Sequence, residues 1–312
     1  MPTKNIPRST EFACDIPLPK GFRLQDILGF HARDITALSE EVRDTRLRKA
    51  VVLKGMPCQI SIDFFTNYAT VKLHCDGRAA LTEAELIGLG QRLLGLHFDT
   101  QKFEKKYAKD PHLGALVQRQ AGLNIAMVPT VFEALVWAIT GQQITVSFAI
   151  QLRHRLIELT NIRHSQGLVC HPDAQAVASL DADQLGELKF SRAKSATILR
   201  IAQMVNSGEL RLDSPTSSGD APASAQDYAT LSEQLLAIKG VGPWTVNYAM
   251  MRGAGYADCS LHGDVVVRSA LQNLIGAQEK ISEAEAKAWL ENYAPWRSLV
   301  AAHLWASKAS QA

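Results

Sequence analysis

Apolar and polar residues alternate early in the chain in a way that predicts a small sheet. Residues 59–63 and 70–74 follow the period-two pattern of half-buried strands, and Asn67 marks a turn between them. Two further strands are predicted at residues 50–53 and near residues 12–14. Together, these segments would form a half-buried antiparallel sheet.

Two helices are predicted to accompany this sheet. Residues 24–33 place apolar side chains at helical spacing. Thr82 and Glu85 form the Thr-x-x-Glu pattern of a capping box, which predicts a helix from there to about Leu94. Residues 1–105 are therefore predicted to be an N-terminal α+β domain.

From Phe103 onward, the pattern predicts helices almost throughout. An amphipathic helix that ends at Gly141 is predicted first, and four more follow, at residues 145–159, 189–205, 283–292 and 295–308. Residues from about 213 to 227 are rich in Ser, Pro and Gly, which is typical of a surface loop. Residues 106–312 are therefore predicted to be an all-α domain, so the fold would be mainly α.

The stretch at residues 235–246 predicts two helices joined by a tight turn. Its apolar residues 235–238 suit the end of one helix, and Pro243 suits the first turn of a second. Gly240 and Gly242 allow a turn that a β-carbon would obstruct, because glycine adopts positive φ angles without steric cost. The N–H groups that begin the second helix lack intrahelical partners, so they can bind a nucleic-acid phosphate regardless of sequence.

A Gly-x-Gly turn alone is also typical of an ordinary helix–helix connection. Here the full pattern is Leu-x-x-Ile-x-Gly-Val-Gly-x-x-Thr, and Leu-His-Gly-Asp-Val-Val-Val-Arg follows at residues 261–268. This combination resembles the helix-hairpin-helix, Gly/Pro-rich, aspartate DNA glycosylases, and among them the DNA-3-methyladenine glycosylase II type. Asp264 follows Gly242 by 22 residues, which fits the interval between hairpin and aspartate in that family.

The resemblance implies a helix-hairpin-helix glycosylase fold with two helical subdomains and an active-site cleft between them. It implies an enzyme of base excision repair that flips alkylated purines out of duplex DNA and hydrolyses their N-glycosidic bonds without a cofactor. It also implies that two turns contact the DNA, through Gln142, Gln143, Lys239, Gly240, Val241, Gly242 and Thr245.

Asp264 lies where a polar turn gives way to an apolar helix, which is the position of an N-cap. Aspartate is common there for structural reasons alone, and that interpretation requires no chemistry. Cleavage of an N-glycosidic bond, however, develops positive charge on the deoxyribose, and a fixed carboxylate near C1′ would stabilise that charge. The resemblance places Asp264 at the family's catalytic aspartate, where it would also orient the attacking water.

Three aromatic residues are candidates for a base-binding pocket. Trp244 and Tyr248 are four residues apart and therefore share one helix face, although aromatic pairs at this spacing are common in apolar cores. By resemblance, these two residues and Trp305 surround the target base. Purines alkylated at N3 or N7 are cationic, so an aromatic cleft would bind them by stacking and cation–π attraction.

Trp244 also bears on the type of reaction. Relatives that nick the DNA backbone carry a lysine at this register, and that lysine forms a Schiff base with the sugar. Lys239 precedes the hairpin glycines and does not occupy the register. The resemblance therefore implies base removal without strand cleavage.

Two positions depart from the family's pattern. Gln143 occupies the place of an apolar wedge that fills the gap left by the flipped base, so a polar plug is expected there. His262 and Gly263 stand where proline and an acidic residue are common, and a role of His262 in the turn is favoured over contact with substrate.

Composition and charge exclude several other classes of protein. The 312 residues are 46% hydrophobic and carry a net charge of +2, so any basic DNA-binding surface must be local. The chain has no apolar run long enough to span a bilayer and no signal-peptide core at its N-terminus, so a cytoplasmic protein without membrane contact is expected. A monomer is also expected, although the sequence leaves the oligomeric state open. The five cysteines form no C-x-x-C pair, and the spacing of His31, His74 and His97 does not suggest ligands, so no metal site is predicted. A monovalent cation at the hairpin carbonyls is left open.

Two other functions are compatible with the sequence. A glycosylase for oxidised or deaminated purines would share these motifs, because the shape of the pocket determines which lesion is bound. A non-catalytic helix-hairpin-helix protein would use the turn only to hold a DNA phosphate, and it would not need Asp264, Trp244 or Trp305.

Overall fold

An antiparallel five-stranded sheet forms the N-terminal part of the fold. The computed structural model describes residues 9–78, 81–212 and 225–309. The strands are arranged in the order β1-β5-β4-β3-β2. Their bounds are β1 Thr10–Pro17, β2 Glu40–Arg43, β3 Arg46–Leu53, β4 Met56–Phe64 and β5 Tyr68–Cys75.

The predicted strands are confirmed, and the structure adds one that the pattern did not predict. Strand β2 has the sequence Glu-Glu-Val-Arg, which lacks an apolar alternation, so it forms through its pairing with β3. Glu40 lies opposite Lys49 in that register. Strand β1 is longer than predicted because all eight of its residues pair with β5.

The two predicted helices next to the sheet are also confirmed. Helix α1 is Leu24–His31 and helix α2 is Glu83–Leu93. Thr82 caps α2 as the capping box predicts: the Glu85 N–H donates to Thr82 Oγ1 at 3.3 Å, and the Thr82 N–H donates to Glu85 Oε2 at 2.8 Å. Both helices contribute to the apolar cluster that covers the sheet.

The rest of the described chain is helical. Its elements are α3 Thr100–Tyr107, α4 Gly114–Arg119, α5 Val131–Gly141, α6 Val146–Thr160, α7 Ala174–Ala178, α8 Ala182–Glu187, α9 Arg192–Asn206, α10 Ala225–Leu236, α11 Pro243–Ala249, a π-helical turn Met250–Ala254, α12 Val265–Ile275, α13 Glu283–Glu291 and α14 Arg297–Ala309. A second, larger apolar cluster extends from Phe98 to Leu304. None of the helices in the described residues is long and apolar enough to cross a membrane.

Two details of the helical prediction need correction. Helix α5 ends at Gly141 as predicted, but it is not amphipathic, because nine of its 11 residues are buried and it lies at the centre of the packing. The predicted loop at 213–227 lies mostly outside the described residues, and its end is wrong, because α10 already begins at Ala225. The domain division near residue 105 stays a prediction.

A buried ionic network joins the sheet to the helices. The Lys49 ammonium group on β3 contacts Glu40 and, at 2.6 Å, Glu133 Oε1 on α5. Arg153 on α6 contacts the same two carboxylates at 2.6 and 3.1 Å. Burial alone would raise the pKa of Glu133, but the nearby charges of Lys49, His171 and Arg153 lower it to about 2.

We expect Glu133→Gln to lower the free energy of unfolding at neutral pH by about 3 kcal/mol or more, because two buried cations would lose a shared counter-charge. Urea unfolding measures this change. The matched control is Glu209→Gln, which removes half of an exposed pair with Arg200 and should cost only about 0–1 kcal/mol. Equal losses in the two variants would contradict this interpretation of the network.

We also expect the difference in unfolding free energy between the wild type and Glu133→Gln to depend on pH. The pKa of Glu133 is lower in the folded state, so its carboxylate contributes its full stabilisation above the ordinary value of 4.5 and loses it as the pH falls towards about 2. The difference in stability between the wild type and Glu133→Gln should therefore narrow over this acidic range.

Candidate active site

The predicted hairpin joins α10 to α11, and its two glycines have different roles. Gly240 has a φ of +92°, and a β-carbon there would overlap the side chain of Thr197. The Thr197 hydroxyl lies 3.1 Å from the carbonyl oxygen of Lys239 and 2.9 Å from that of Ala193, so its single proton is shared between the turn and its own helix. Gly242 has a φ of −104° and open space at its Cβ position, so the expectation that a β-carbon would obstruct the turn is wrong for this residue.

The residues predicted to contact DNA differ in their solvent exposure around this turn. Lys239 is exposed, whereas the side chains of Val241 and Thr245 are 6% and 2% exposed and pack inward. Gln142 donates from Nε2 to the Gly240 carbonyl oxygen at 3.1 Å and to Thr245 Oγ1 at 2.9 Å. The turn after α5 is therefore tied directly to the hairpin.

Gln143 and His262, the two departures from the family's pattern, have different environments. Gln143 is exposed and has a φ of +56°, a left-handed conformation that is uncommon for a residue with a β-carbon. His262 Nδ1 lies 3.0 Å from Ser260 Oγ within the turn before α12.

Asp264 is the N-cap of α12, as predicted, and its carboxylate is held on several sides. Its Oδ1 accepts hydrogen bonds from the backbone N–H groups of Val266 and Val267, both at 2.9 Å. The indole Nε1 of Trp305 donates to Oδ1 at 3.1 Å, and the indole Nε1 of Trp244 donates to Oδ2 at 3.0 Å. An N-cap needs only the backbone contacts, so the two indoles orient the carboxylate beyond what the helix requires.

The three predicted pocket aromatics lie together beside this carboxylate. The ring centroids of Trp244 and Tyr248 are 5.3 Å apart, and those of Tyr248 and Trp305 are 6.3 Å apart. Trp244 lies in the first turn of α11, Tyr248 lies one turn later, and α14 contributes Trp305. The chain therefore brings an apolar, aromatic surface and one oriented carboxylate into a single place.

Three residues of this cluster were not predicted from the sequence. The guanidinium carbon of Arg252 lies over the rings of Phe30, Trp305 and Tyr248, at 4.7, 5.2 and 6.0 Å from their centroids. Trp137 on α5 lies near the Tyr248 hydroxyl group. Burial raises the pKa of Tyr248 and lowers that of Arg252 to about 10.

The sequence contains an indication of a place in this cluster for only one of these three residues. Arg252 follows Tyr248 by four residues and so lies on the same helical face, but an arginine there is not by itself a sign of a pocket. Phe30 and Trp137 are distant in sequence from the hairpin, and nothing in their local pattern indicates that they lie beside it.

One group of potential metal ligands occurs among the described residues. His74 Nδ1, Asp76 Oδ1 and His164 Nε2 lie 3.0 to 3.8 Å from one another. The sequence did not indicate this, because His164 is contributed by a distant loop. The Gln166 N–H donates to His164 Nδ1 at 3.2 Å, which places the proton of the neutral ring on Nε2 and leaves no lone pair there for a metal. We therefore interpret the cluster as a polar contact between β5 and that loop.

The chain matches a known family and several named proteins. A family model described as "HhH-GPD superfamily base excision DNA repair protein" matches residues 136–295, which is more than half of the chain. The chain belongs to the HhH-GPD superfamily. The matched segment includes the hairpin and Asp264, and it ends before Trp305.

Individual named proteins are similar in sequence to this chain over most of its length. A protein of Bacillus subtilis named DNA-3-methyladenine glycosylase is 23% identical over 296 residues, which cover 93% of this chain and 95% of that protein. DNA-3-methyladenine glycosylase 2 of Escherichia coli is 25% identical over 286 residues, which cover 89% and 92%. The predicted resemblance to the DNA-3-methyladenine glycosylase II type is confirmed.

A solved structure confirms the predicted fold class. The 3-methyladenine DNA glycosylase of Archaeoglobus fulgidus superposes with a TM-score of 0.76 at 20% identity, covering 94% of this chain and 97% of that one. The fold of this HhH-GPD protein is thus helix-hairpin-helix with an N-terminal antiparallel sheet.

The two hairpin glycines provide a matched pair of substitutions. We expect Gly240→Ala to destabilise the protein by about 1–3 kcal/mol, because alanine would adopt a left-handed conformation and overlap Thr197. Gly242→Ala should leave the stability nearly unchanged, since its φ is ordinary and its surroundings are open. Chemical denaturation of both variants tests this, and similar losses would show that the turn does not depend on Gly240 specifically.

Proposed function

We propose that this chain is a DNA glycosylase that removes alkylated purines from duplex DNA by hydrolysing their N-glycosidic bonds. Its membership of a superfamily of base excision repair proteins supports a glycosylase. The relatives named DNA-3-methyladenine glycosylase, which match along most of the chain, support alkylated purines as the substrate. One observation carries the mechanism: the Asp264 carboxylate is oriented by two indole N–H groups beside a cluster of aromatic rings.

Asp264 acts on the charge that develops on the sugar. As the bond between C1′ and the base breaks, the deoxyribose becomes positively charged. A carboxylate that is already oriented stabilises this charge without having to reorganise during the reaction. The N–H groups of Trp244 and Trp305 hold the carboxylate through neutral donors, so it keeps its negative charge for the sugar. Asp264 also orients the attacking water.

The aromatic rings bind the flipped base. Trp244 and Trp305 are partly exposed next to the carboxylate, and the buried ring of Tyr248 packs against both of them. Alkylated purines stack on such rings and, when cationic, are good leaving groups. Modest stabilisation of the transition state is then sufficient for their release.

The hairpin and the turn after α5 hold the DNA while the base is out of the stack. The hairpin supplies backbone N–H groups to a phosphate, since Gly242 leaves the start of α11 without a side-chain cap. Gln143 projects from its exposed left-handed turn into the space that the base vacates, where its amide can hydrogen-bond to the orphaned partner base. Gln142 couples the two turns, so both engage one DNA duplex together.

The proposed reaction ends at an abasic site. Trp244 occupies the register at which a lysine would form a Schiff base, and its indole is committed to Asp264. We also propose that the protein acts as a monomer, because one chain supplies Asp264 and all four donors to it. It would act in the cytoplasm, where bacteria such as those of its named relatives keep their DNA.

The alternative of a non-catalytic DNA-binding protein accounts for less of the geometry. A phosphate clamp would use the hairpin, but it gives no reason for two indoles to converge on one carboxylate. A glycosylase for other lesions would use the same machinery, so the substrate must be tested directly.

The test is release of free base from methylated duplex DNA. We expect the wild type to release 3-methyladenine or 7-methylguanine without strand breaks before alkali. Asp264→Asn keeps the size of the side chain and removes its charge, so the single-turnover rate should fall by on the order of 100-fold or more. The variant's affinity for undamaged duplex DNA should be unchanged.

Three results would contradict parts of this proposal. No release by a folded, DNA-binding wild type would refute alkylated purines as substrates. Equal rates for the wild type and Asp264→Asn would refute the role of the carboxylate. Strand breaks before alkali treatment would refute base removal without cleavage.

A further inference from the structure

The turn that carries Gln143 has an unfavourable backbone conformation. Gln143 has a φ of +56°, and its side chain is exposed. A left-handed conformation is costly for a residue with a β-carbon, and it persists only where the surrounding structure enforces it. Helix α5 ends two residues earlier, at Gly141. Contacts at the end of α5 must therefore hold the chain on this path.

One such contact comes from Lys194 in the first turn of α9. Its Nζ donates to the carbonyl oxygen of Thr140, in the last turn of α5, at 2.8 Å. The last carbonyl groups of a helix lack intrahelical partners and carry the negative end of its dipole, so an ammonium group is a favourable partner for them. Burial lowers the pKa of Lys194, and no carboxylate of the described residues lies within ion-pair distance to oppose this effect.

The same part of α9 also lies against the hairpin. Thr197, three residues after Lys194, has its hydroxyl 3.1 Å from the Lys239 carbonyl oxygen, and Gly240 passes close to its side chain. Gln142 bonds from the other side to the carbonyl oxygen of Gly240. The start of α9 therefore contacts both of the turns that are proposed to hold DNA.

We propose that Lys194 is a positioning residue for base flipping, because it holds the end of α5 so that Gln143 can fill the gap in the duplex. This inference rests on the proposed function and on the place that it gives to Gln143. Lys194 acts through the turn and not through a direct contact with DNA. The alternative is an ordinary contact between its remaining N–H groups and a phosphate.

Two duplexes distinguish these roles of Lys194. In a duplex with tetrahydrofuran in place of one nucleotide, the gap is already present and Gln143 can enter it. In an undamaged duplex, a stacked base occupies the same space. Phosphate contacts are common to both duplexes, so they cancel when the two affinities are compared. The ratio of the affinities, tetrahydrofuran over undamaged, therefore reports how well Gln143 fills the gap.

The first test measures both affinities by fluorescence anisotropy. We expect Lys194→Met to lower the ratio by roughly fivefold, the effect of losing about one net hydrogen bond. The affinity for the undamaged duplex should stay within about twofold of the wild type, since no phosphate contact is removed. This unchanged affinity also verifies that the variant is folded. Lys194→Arg can still donate to the Thr140 carbonyl and should restore most of the ratio.

Arg200→Met is the matched control for loss of charge on α9. Arg200 is exposed and pairs with Glu209 at 2.9 Å, away from both turns. Its removal should leave the ratio within about twofold of the wild type, as expected for an exposed ion pair.

A double-mutant cycle tests whether Lys194 acts through Gln143. Gln143→Ala should lower the ratio by itself, because the gap is then left unfilled. In that background, Lys194→Met should cause little further loss, since residues that act as a unit are not additive. Fully additive losses would show that Lys194 acts independently of Gln143, and they would overturn the inference.

Other outcomes also decide the matter. Equal losses of affinity for both duplexes in Lys194→Met, with a weaker dependence on salt, would identify a phosphate contact instead. A wild type without preference for tetrahydrofuran, or a Gln143→Ala variant that keeps the preference, would refute the role of Gln143 and this inference with it. If the ratios behave as expected but methylated DNA releases no base, the proposed reaction fails and the inference about Lys194 stands.

Discussion

The orientation of one carboxylate by two indoles is the constraint on which the proposed site depends. Trp244 and Trp305, which are 61 residues apart in the chain, reach Asp264 from two helices, and the start of α12 supplies the remaining donors. These contacts require α11, α12 and α14 to converge within hydrogen-bonding distance of one group. The apolar cluster that packs these helices is therefore what makes the carboxylate rigid, and rigidity is what electrostatic catalysis needs.

The N-terminal sheet is joined to the helices by a buried ionic network. Lys49 on β3 is buried between carboxylates of β2 and α5, and Arg153 on α6 shares those carboxylates. Breaking such a network is costly because it leaves a buried charge without a partner, although the net contribution of the intact network to stability is small. Here it fixes the sheet and α5 relative to each other. Phe30, near the end of α1, also packs against the Arg252 guanidinium in the helical part, so a second contact joins the N-terminal region to the helices.

Local patterns in the sequence predicted most helices and strands, but they did not predict contacts between segments that are distant in the chain. Thr82 and Asp264 were assigned correctly as helix caps because capping depends on a few adjacent residues. Strand β2 and the helix α5 were misjudged because their environment is set by buried charges and by packing on all sides. The resemblance located Asp264 and three aromatics. It did not indicate Phe30, Trp137 or Arg252, whose proximity depends on the tertiary fold.

The most direct test of the central claim is binding of a cationic mimic of the sugar. Duplex DNA with a protonated pyrrolidine at the lesion position resembles the charged transition state, and tetrahydrofuran at the same position is its uncharged control. The account predicts that the wild type binds the pyrrolidine at least about tenfold more tightly than the tetrahydrofuran, and that Asp264→Asn abolishes this difference while binding tetrahydrofuran normally. A preference for the cation that survives in Asp264→Asn would contradict the account.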